Sequence, residues 1–463
     1  MTNGREVLRA RKPDLHDRHG GVHLLVWGEL PDWMAVDDDL HSFLGLFDGG
    51  RTLAVVLDAH AAGGGGRAQA EGVAGELRRR GILAEDLSPP TPKSEPPRIA
   101  NVTFNVTNRC NLRCPWCYNA GRATGEIPTD LAARALREAR GILDPQSSLI
   151  VLGGEPFLDL PRLLAVLDGT RGLFGAPPSV STNGTLLTPQ AVREIASRGA
   201  EVQVSLDGPD EERHDAIRGR GVFEKAVGGV RRLVDAGVHT ILSMVFTRES
   251  AGKMEPYLDL ARTLGANEAR FIPMRAIGRG TEHASLSPDR FLLFEALLDV
   301  LDRRPELRSL LMRDFFTIAM TVLRFSTPRR NCGIGRKVVF LDADGGVYPC
   351  PNHALPEFLC GNVAERPLQD IFLSSAVMER MRAEFDVSRY TKCRTCAFRQ
   401  WCAGDCRGEV RAAGGDPLEA PAHCESLFRM HRRMLWMLAE GDDRIGTRSI
   451  LPGGHRVSDA FEG

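Results

Sequence analysis

After a proline-rich stretch at 88–97, short apolar runs alternate six times with amphipathic segments of helical period. Strands are predicted at 101–106, 148–152, 177–182, 201–206, 239–246 and 268–274, and a helix is predicted after each one, at 129–143, 160–168, 188–198, 222–236, 252–264 and 288–302. Six strand–helix units in succession predict an α/β domain with a parallel sheet and helices outside it. The alternation fits a doubly wound open sheet and a barrel equally well.

Polar and glycine-rich motifs follow the first four predicted strands. In chain order they are Cys110 to Cys117, Gly153-Gly154-Glu155-Pro156, Ser181-Thr182-Asn183-Gly184 and Ser205-Leu206-Asp207-Gly208. Barrels of this class build their active sites at the carboxyl ends of the strands, and glycine lets a backbone approach a ligand closely. Each motif alone is typical of a strand-to-helix turn. Four of them at one edge indicate a functional site.

The first motif contains three cysteines, Cys110, Cys114 and Cys117, in a C-x3-C-x2-C spacing. A closed structural metal site takes four protein ligands. Three thiolates suit an iron–sulfur cluster that keeps one iron open for another molecule. The alternatives are a zinc knuckle or three unrelated core thiols.

The run from Asn108 to Tyr118 resembles the signature of the radical S-adenosylmethionine (radical SAM) enzymes. The resemblance implies a 4Fe–4S cluster whose open iron is chelated by the amino and carboxylate groups of SAM. It also implies reductive cleavage of SAM to methionine and a 5′-deoxyadenosyl radical, which abstracts a hydrogen atom from the substrate. Finally, it favours a partial (β/α)6 TIM barrel over the doubly wound sheet, because that barrel is the fold of the family.

The same resemblance assigns contacts with SAM to the strand ends: Gly153, Gly154 and Glu155 for the methionyl amino group, Ser181 and Asn183 beside the methionyl end, and Ser205 and Asp207 near the ribose. Arg218 resembles an arginine that pairs with the SAM carboxylate, and a guanidinium suits that bidentate task. The alternative for Arg218 is a solvated arginine at a helix start.

A second cysteine array occupies the carboxyl-terminal third of the chain. It consists of Cys332, Cys350, Cys393, Cys396, Cys402, Cys406 and Cys424. For Cys393 to Cys406 alone, a zinc ribbon is the alternative. The whole array resembles the SPASM pattern of radical SAM enzymes with two auxiliary clusters, which brings the expected total to three iron–sulfur clusters.

The SPASM resemblance also implies a division of the ligands. Cys332, Cys350 and Cys406 would bind the first auxiliary cluster, and the other set, Cys393, Cys396, Cys402 and Cys424, would bind the second. The first cluster is then one thiolate short. Cys360, which is otherwise unassigned, is either its fourth ligand or a small buried hydrophobic residue. In the second case the cluster keeps an open iron for substrate.

Residues 1–87 differ in kind from the rest. A strand pair that includes 21–28 is followed by a helix at 38–46, a DGxxT-type turn at 48–52, and helices around 53–59 and 71–80. This order resembles the small winged-helix module that recognises precursor peptides, as in the pyrroloquinoline quinone pathway (PqqD-like). The resemblance implies that a leader peptide adds as a strand, pairing near Val22 to Trp27. The alternative is a structural cap on the barrel.

Composition limits the partners and the compartment. The formal net charge of −1 gives no electrostatic reason to expect nucleic acid or an anionic membrane surface. No charged-then-apolar leader opens the sequence and no apolar run is long enough to span a membrane, so a cytoplasmic location is expected. In that reducing compartment the clustering of eleven cysteines indicates metal binding rather than disulfides.

These observations predict a radical SAM/SPASM oxidoreductase that modifies a ribosomally made precursor peptide, giving an oxidised or crosslinked product. Its expected partners are the precursor, bound through residues 1–87, and an electron donor such as flavodoxin or ferredoxin. The predicted domains are 1–87, a linker at 88–98, the barrel at 99–310, a bridging helix with the SPASM domain at 311–440, and a tail at 441–463.

Three alternatives are left open. An anaerobic sulfatase-maturing type of oxidase needs an aspartate after the second SPASM cysteine, but Pro351 follows Cys350 and cannot take a proton. A SPASM enzyme could instead act on a small molecule such as a tetrapyrrole or sugar. A non-catalytic iron–sulfur carrier would need no SAM-binding strand ends.

Overall fold

The computed structural model describes residues 6–88, 96–325, 328–442 and 444–445 of the 463-residue chain. Residues 89–95 of the predicted linker therefore lie outside the described residues, as do residue 443 and residues 446–463 of the predicted tail. Among the described residues, no helix combines the length and apolar character that crossing a membrane requires.

The amino-terminal region folds into strands and three helices, in the order β1 (Val7–Ala10), β2 (Leu15–His19), β3 (Val22–Trp27), β4 (Asp32–Asp37), α1 (Asp38–Gly45), β5 (Asp48–Thr52), α2 (Leu53–Ala62), α3 (Arg67–Arg79) and β6 (Leu83–Ala84). The predicted strand pair is thus a three-stranded antiparallel meander, β2-β3-β4. The predicted turn at 48–52 is instead a strand that pairs with β1. Its pairing partner lies about 40 residues away, which local sequence does not reveal.

The position of β3 corrects the expected place of leader binding. This strand pairs with β2 on one side and with β4 on the other, so its backbone groups are already used in the ladder. A peptide that adds as a strand needs an unpaired edge. Pairing near Val22 to Trp27 is therefore wrong, and within the described part of the chain the edges of this sheet are β2 and β4.

The central domain contains the predicted strand–helix units: β7 (Ile99–Asn105), α4 (Thr129–Glu138), β8 (Leu143–Leu152), α5 (Leu160–Gly169), β9 (Ser179–Thr182), α6 (Pro189–Ala196), β10 (Glu201–Ser205), α7 (Glu211–Arg218), α8 (Val222–Asp235), β11 (Thr240–Phe246), α9 (Met254–Thr263), β12 (Glu268–Pro273), α10 (Arg290–Arg303) and α11 (Phe315–Leu323). All six predicted strands are present. The short helix α7 is an element that the sequence did not predict.

The order of these strands distinguishes a barrel from a doubly wound sheet. Strands β7 to β12 are parallel, and each one lies beside the next in chain order. A doubly wound sheet reverses its strand order at a switch point, and this sheet does not. Among the described residues β12 pairs only with β11, so the six units form an open, partial barrel.

The carboxyl-terminal domain extends the same sheet. Its elements are β13 (Val338–Leu341), β14 (Gly346–Tyr348), β15 (Gly361–Asn362), α12 (Leu368–Ser374), α13 (Ala376–Glu384), α14 (Arg399–Cys402), α15 (Arg407–Ala412) and α16 (Cys424–Glu440). Strand β13 pairs in parallel with β7, and β14 and β15 follow as antiparallel strands. The SPASM region is therefore continuous with the barrel sheet.

Strands β3 and β4 of the meander are buried on both faces. On one face Leu24, Val26, Trp33 and Ala35 belong to the main apolar core, together with Phe398, Trp401 and Met430 of the carboxyl-terminal domain. On the other face Leu25, Trp27, Met34 and Val36 pack with helices of the amino-terminal region. The period-2 alternation of a strand sends successive side chains to opposite faces. The amino-terminal region is thereby fixed onto the rest of the chain.

Candidate active site

The three cysteines of the first motif lie in the loop after β7 and are close to one another. Burial raises the pKa of the Cys110 thiol, and the neighbouring Glu155, Cys114 and Cys117 add to the rise. Burial also raises the pKa of Cys114, while the guanidinium of Arg218 opposes that rise. The structure therefore gathers these three thiols beside a cation. This donor set fits an iron–sulfur cluster with one open iron.

The glycine pair after β8 holds the cysteine loop in place. The Gly154 amide donates to Thr107 O at 2.7 Å, and the Glu155 amide donates to Arg109 O at 2.9 Å. A Cβ atom on Gly154 would lie 2.0 Å from Arg109 O, and one on Gly153 would lie 2.3 Å from Thr107 O. The glycines are thus required for the approach of the loop itself, before any ligand is considered.

Glu155 is fully buried, and its carboxylate binds protein groups. It accepts hydrogen bonds from the Phe157 amide at 3.0 Å, the Thr182 hydroxyl at 2.7 Å and the Asn183 amide at 2.7 Å. Burial raises the pKa of this carboxyl. Glu155 therefore ties the end of β8 to the end of β9. A contact between segment 153–155 and the methionyl amino group stays a prediction.

Asp207 and Arg218 form a buried ion pair beside the cysteine loop. Arg218 Nε lies 2.8 Å from Asp207 Oδ2, and Asp207 Oδ1 accepts from the Val245 amide at 2.9 Å. Arg218 is the last residue of α7, and only 13% of its side chain is exposed. It is therefore not a solvated residue at a helix start. The ion pair leaves the terminal guanidinium nitrogens available for a second carboxylate.

The remaining predicted SAM residues lie at the same edge of the sheet. Asn183 Nδ2 donates to Asn111 Oδ1 at 2.8 Å, which links β9 to the cysteine loop. Ser181 Oγ accepts from Gln203 at 3.3 Å, and Ser205 lies beside Ser243 at the end of β10. An open cleft of about 620 Å³ is lined by this loop and by Arg218. Of the predicted SAM residues, Arg218 lines this cleft.

The second cysteine array separates into the two predicted sets. Burial raises the pKa of Cys350, and the nearby Cys332 and Cys406 thiols add to the rise. In the second set, burial raises the pKa of Cys393 to about 11, with contributions from Cys396 and Cys424. Burial also raises the pKa of Cys402, and Asp405 and the thiols of Cys393, Cys396 and Cys424 add to the rise. Clusters of three and four soft donors fit two auxiliary iron–sulfur clusters.

Cys360 lies in a different environment. It is buried in the main apolar core, to which Val363 and Ile371 also belong, and its thiol contacts Phe358 O at 3.5 Å. Burial raises its pKa to about 12, with opposing effects from Ser375, Arg382 and Arg380. Within the described residues, no cysteine is among the groups that perturb this thiol. The surroundings are those of a packed hydrophobic residue.

Two side chains in the turn after Cys350 contact cysteines assigned to the first auxiliary cluster, and the sequence did not predict them. His353 Nδ1 lies 3.2 Å from Cys350 Sγ, and Asn352 Nδ2 lies 3.3 Å from Cys406 Sγ. Burial, together with Arg407, lowers the pKa of His353 to about 4, so the imidazole is neutral. The sequence signal was their position, two and three residues after a ligand cysteine.

A buried ion network joins the carboxyl-terminal domain to the barrel. Asp405 contacts Arg275 at 3.1 Å, Arg290 at 2.5 Å and His423 at 2.5 Å, and Glu409 contacts Arg275 at 2.9 Å. Burial tends to raise the pKa of Asp405, but Arg275 and Arg290 outweigh it and hold that pKa well below its usual value. Charge pairs of this kind need several mutual partners to be stable when desolvated.

Family models match two parts of the chain. The radical SAM superfamily model matches residues 104–261, which include the cysteine loop and the strand ends β8 to β11. The SPASM model, described as an iron–sulfur cluster-binding domain, matches residues 332–397. Radical SAM domains bind a 4Fe–4S cluster and SAM, and SPASM domains bind auxiliary iron–sulfur clusters, so these are the cofactors of the chain.

Two curated relatives cover most of this sequence. The mycofactocin maturase MftC of Mycobacterium tuberculosis is 32% identical over 333 residues, which is 69% of this chain and 81% of that protein. The AdoMet-dependent heme synthase of Methanosarcina barkeri is 29% identical over 349 residues, which is 71% of this chain and 96% of that protein.

Two solved structures share the fold. An anSMEcpe crystal structure with bound AdoMet and a peptide has a TM-score of 0.61 at 18% identity and covers 75% of this chain and all of the other. SuiB of Streptococcus suis bound to S-adenosylmethionine has a TM-score of 0.59 at 15% identity and covers 91% of this chain and 99% of the other. With these matches, the chain belongs to the radical SAM superfamily, and within it to the enzymes that carry a SPASM domain.

Proposed function

We propose that this chain is a peptide maturase that removes hydrogen from a ribosomally made precursor and leaves an oxidised or crosslinked product. The observation that carries the proposal is the contact between the amino-terminal meander and the cluster-binding domain. Gln400 donates to Glu29 O at 2.8 Å, and Arg399 contacts Asp14 at 3.3 Å. A peptide held by residues 1–87 would therefore lie beside the auxiliary clusters.

Two of the similar proteins support the same function. MftC is named as a maturase, and a SuiB structure is described as bound to its precursor peptide SuiA. The match to SuiB over 91% of this chain extends into residues 1–87, because the residues after 87 make up only about four fifths of the sequence. The fold match to this peptide-binding enzyme therefore includes at least part of the amino-terminal region.

The residues at the strand ends, together with Arg218, suit the binding of SAM. Cys110, Cys114 and Cys117 would hold the cluster, which together with SAM would supply a 5′-deoxyadenosyl radical by reductive cleavage. Asp207 fixes the orientation of Arg218, whose guanidinium would pair with the methionyl carboxylate. Segment 153–155 and Asn183 hold the cysteine loop against the strand ends. Cys360 contributes packing rather than a ligand, so three cysteines bind the first auxiliary cluster.

The proposal includes the domains and partners that the sequence predicted, with one change. Residues 1–87 recognise the leader, 99–310 form the barrel, and 311–440 bind the auxiliary clusters. The leader adds to an outer edge of the meander, at β2 or β4, since β3 is already paired. A flavodoxin or ferredoxin supplies the electron for SAM cleavage, and the reaction takes place in the cytoplasm.

The test is anaerobic incubation of the full chain with SAM, a reductant and the peptide encoded by a small reading frame beside the gene. The expected result is 5′-deoxyadenosine together with a peptide that has lost two hydrogen atoms, as measured by mass spectrometry. Cys114→Ala removes a ligand of the SAM-binding cluster and should abolish both products, whereas Cys360→Ala should retain them. Turnover of a porphyrin precursor with no change in the peptide would reject the maturase in favour of small-molecule chemistry.

A further inference from the structure

Three histidines from separate elements converge at one end of the amino-terminal region. His16 lies on β2, His23 on β3 and His41 on α1. The rings of His23 and His41 stack with centroids 4.0 Å apart, and the His16 ring lies 5.0 Å and 4.7 Å from them. One nitrogen from each ring lies within 4.8 Å of the other two. The fold therefore presents three imidazole donors to a common point.

Hydrogen bonds define which nitrogen of His23 faces the other rings. His23 Nε2 lies 2.7 Å from Asp38 Oδ1, and His23 Nδ1 lies 2.8 Å from His16 Nε2. A carboxylate can only accept, so it keeps the proton on Nε2 and leaves the lone pair on Nδ1. Metal-binding histidines commonly have such a carboxylate behind them. Asp38 is itself held by Arg18, at 2.9 Å and 3.1 Å.

We propose that His16, His23 and His41 bind a divalent transition metal ion, with Zn²⁺ as the ion that the donor set favours. Imidazole nitrogens bind zinc at about 2.0–2.1 Å, which places tetrahedral ligands roughly 3.3 Å apart. In the structure the nitrogens of His16 and His23 are hydrogen-bonded at 2.8 Å, and the three ligand nitrogens all lie within 4.8 Å of one another. His16 is exposed, so its side chain can rotate to exchange that hydrogen bond for a bond to the metal. The fourth position faces solvent and takes a water molecule or an outside ligand.

The site is separate from the iron–sulfur chemistry. Its donors are imidazoles, which suit zinc, whereas the cysteine arrays offer thiolates for iron–sulfur clusters. Bound metal would crosslink β2, β3 and α1, three elements that otherwise meet here through hydrogen bonds and ring stacking. It would therefore stabilise the end of the meander that includes the exposed edge strand β2.

The experiment uses the full chain after anaerobic reconstitution of its clusters. The protein is incubated with a small excess of zinc sulfate, desalted through a weak chelator, and analysed for zinc, iron and sulfide by mass spectrometry and colorimetry. We expect one zinc ion per chain in the wild type. His16→Asn and His41→Asn should each lose that zinc while iron and sulfide stay unchanged. The control is His60→Asn in α2, a histidine of the same region outside the cluster, which should keep it.

A second measurement tests for folding effects. Zinc should raise the unfolding temperature of the wild type and of the His60→Asn variant, and it should leave that of His16→Asn unchanged. Far-UV circular dichroism of His16→Asn without zinc should match the wild type, because the side chain is exposed. Equal zinc content in all four proteins, zinc bound only as iron is lost, or no zinc in the wild type would each overturn the proposal.

Discussion

At the scale of single residues, the contacts that shape the SAM-binding site are backbone approaches which only glycine allows. Gly153 and Gly154 lie in close contact with carbonyl groups of the cysteine loop. The Glu155 carboxylate accepts three hydrogen bonds, two of them from residues at the end of the neighbouring strand β9. The geometry of the three thiols is therefore set by residues that do not bind the cluster.

The first prediction concerns Gly154→Ala. A Cβ atom 2.0 Å from Arg109 O meets backbone, which cannot move aside without displacing the cysteine loop. We expect the variant to lose the SAM-binding cluster and keep the auxiliary ones, so that its iron content falls by about a third. Iron and sulfide analysis after anaerobic reconstitution measures this. Gly72→Ala, in α3 with open space at the Cβ position, is the control. Full iron content in Gly154→Ala would contradict the argument.

The second prediction concerns His353. A ligand thiolate at Cys350 can only accept, so a neutral His353 that bonds to it carries its proton on Nδ1. Such an N–H stabilises the reduced, more negative cluster more than the oxidised one. If that hydrogen bond differs by about 1.4 kcal/mol between the two states, His353→Phe should lower the reduction potential of the first auxiliary cluster by roughly 60 mV. Redox titration followed by electron paramagnetic resonance measures the shift. An unchanged potential would show that the imidazole only fills space.

At the scale of elements, helix α10 illustrates how burial decides how much an ion pair contributes to stability. Its Arg290 is fully buried against Asp405 and Glu409, whereas its Arg303 is 58% exposed and pairs with Glu255. Both are arginine–carboxylate pairs on one helix. Removal of a partner from a buried pair leaves an uncompensated charge, but removal of an exposed partner does not.

The third prediction compares these two arginines. Arg290→Met should lower the free energy of unfolding by about 3 kcal/mol, because the buried carboxylates of Asp405 and Glu409 then lose one of their cationic partners. Arg303→Met should change it by less than about 1 kcal/mol. Denaturant unfolding of the two reconstituted variants, followed by circular dichroism, provides the comparison. Equal destabilisation of the two would mean that the buried network does not fasten the domains.

At the scale of the whole molecule, the amino-terminal meander is packed between its own helices and the cluster-binding domain. Gly28 lies against the backbone of that domain, where a Cβ atom would be 2.4 Å from Ala397 O and 2.7 Å from Cys396 O. Arg432 and Trp436 of α16, in the same domain, bind Asp17 at 2.6 Å and 2.8 Å. Deletion of residues 1–87 would therefore expose core side chains and is a poor test of recognition.

The fourth prediction uses Gly28→Ala instead. The added methyl group should push the meander away from the cluster-binding domain, so that peptide modification slows while SAM cleavage without peptide persists. Hydrogen exchange at β3 and β4 should rise, since the apolar face they share with Phe398 and Trp401 is loosened. Gly45→Ala has open space at its Cβ position and serves as the control. Unchanged modification and exchange would show that the interface tolerates the shift.

The sequence by itself determined the parts that depend on local pattern. The six strand–helix units and the motif positions at the strand ends are visible in spacing and periodicity, and the structure reproduces them. The division of the seven cysteines into two ligand sets follows from the SPASM resemblance and stays a prediction. Local pattern suffices there because a strand fixes the face of each side chain, and the parallel sheet then brings all the strand ends to one edge.

Only the tertiary structure decided the rest. Sequence periodicity does not specify which strands are neighbours. It therefore could not show that β3 is the middle strand of the meander or that β13 extends the barrel sheet. It also could not show that Glu155 binds protein amides, or that His16, His23 and His41 meet. These contacts join residues that are far apart along the chain. Their energies depend on burial and on close approach, which exist only after the chain has folded.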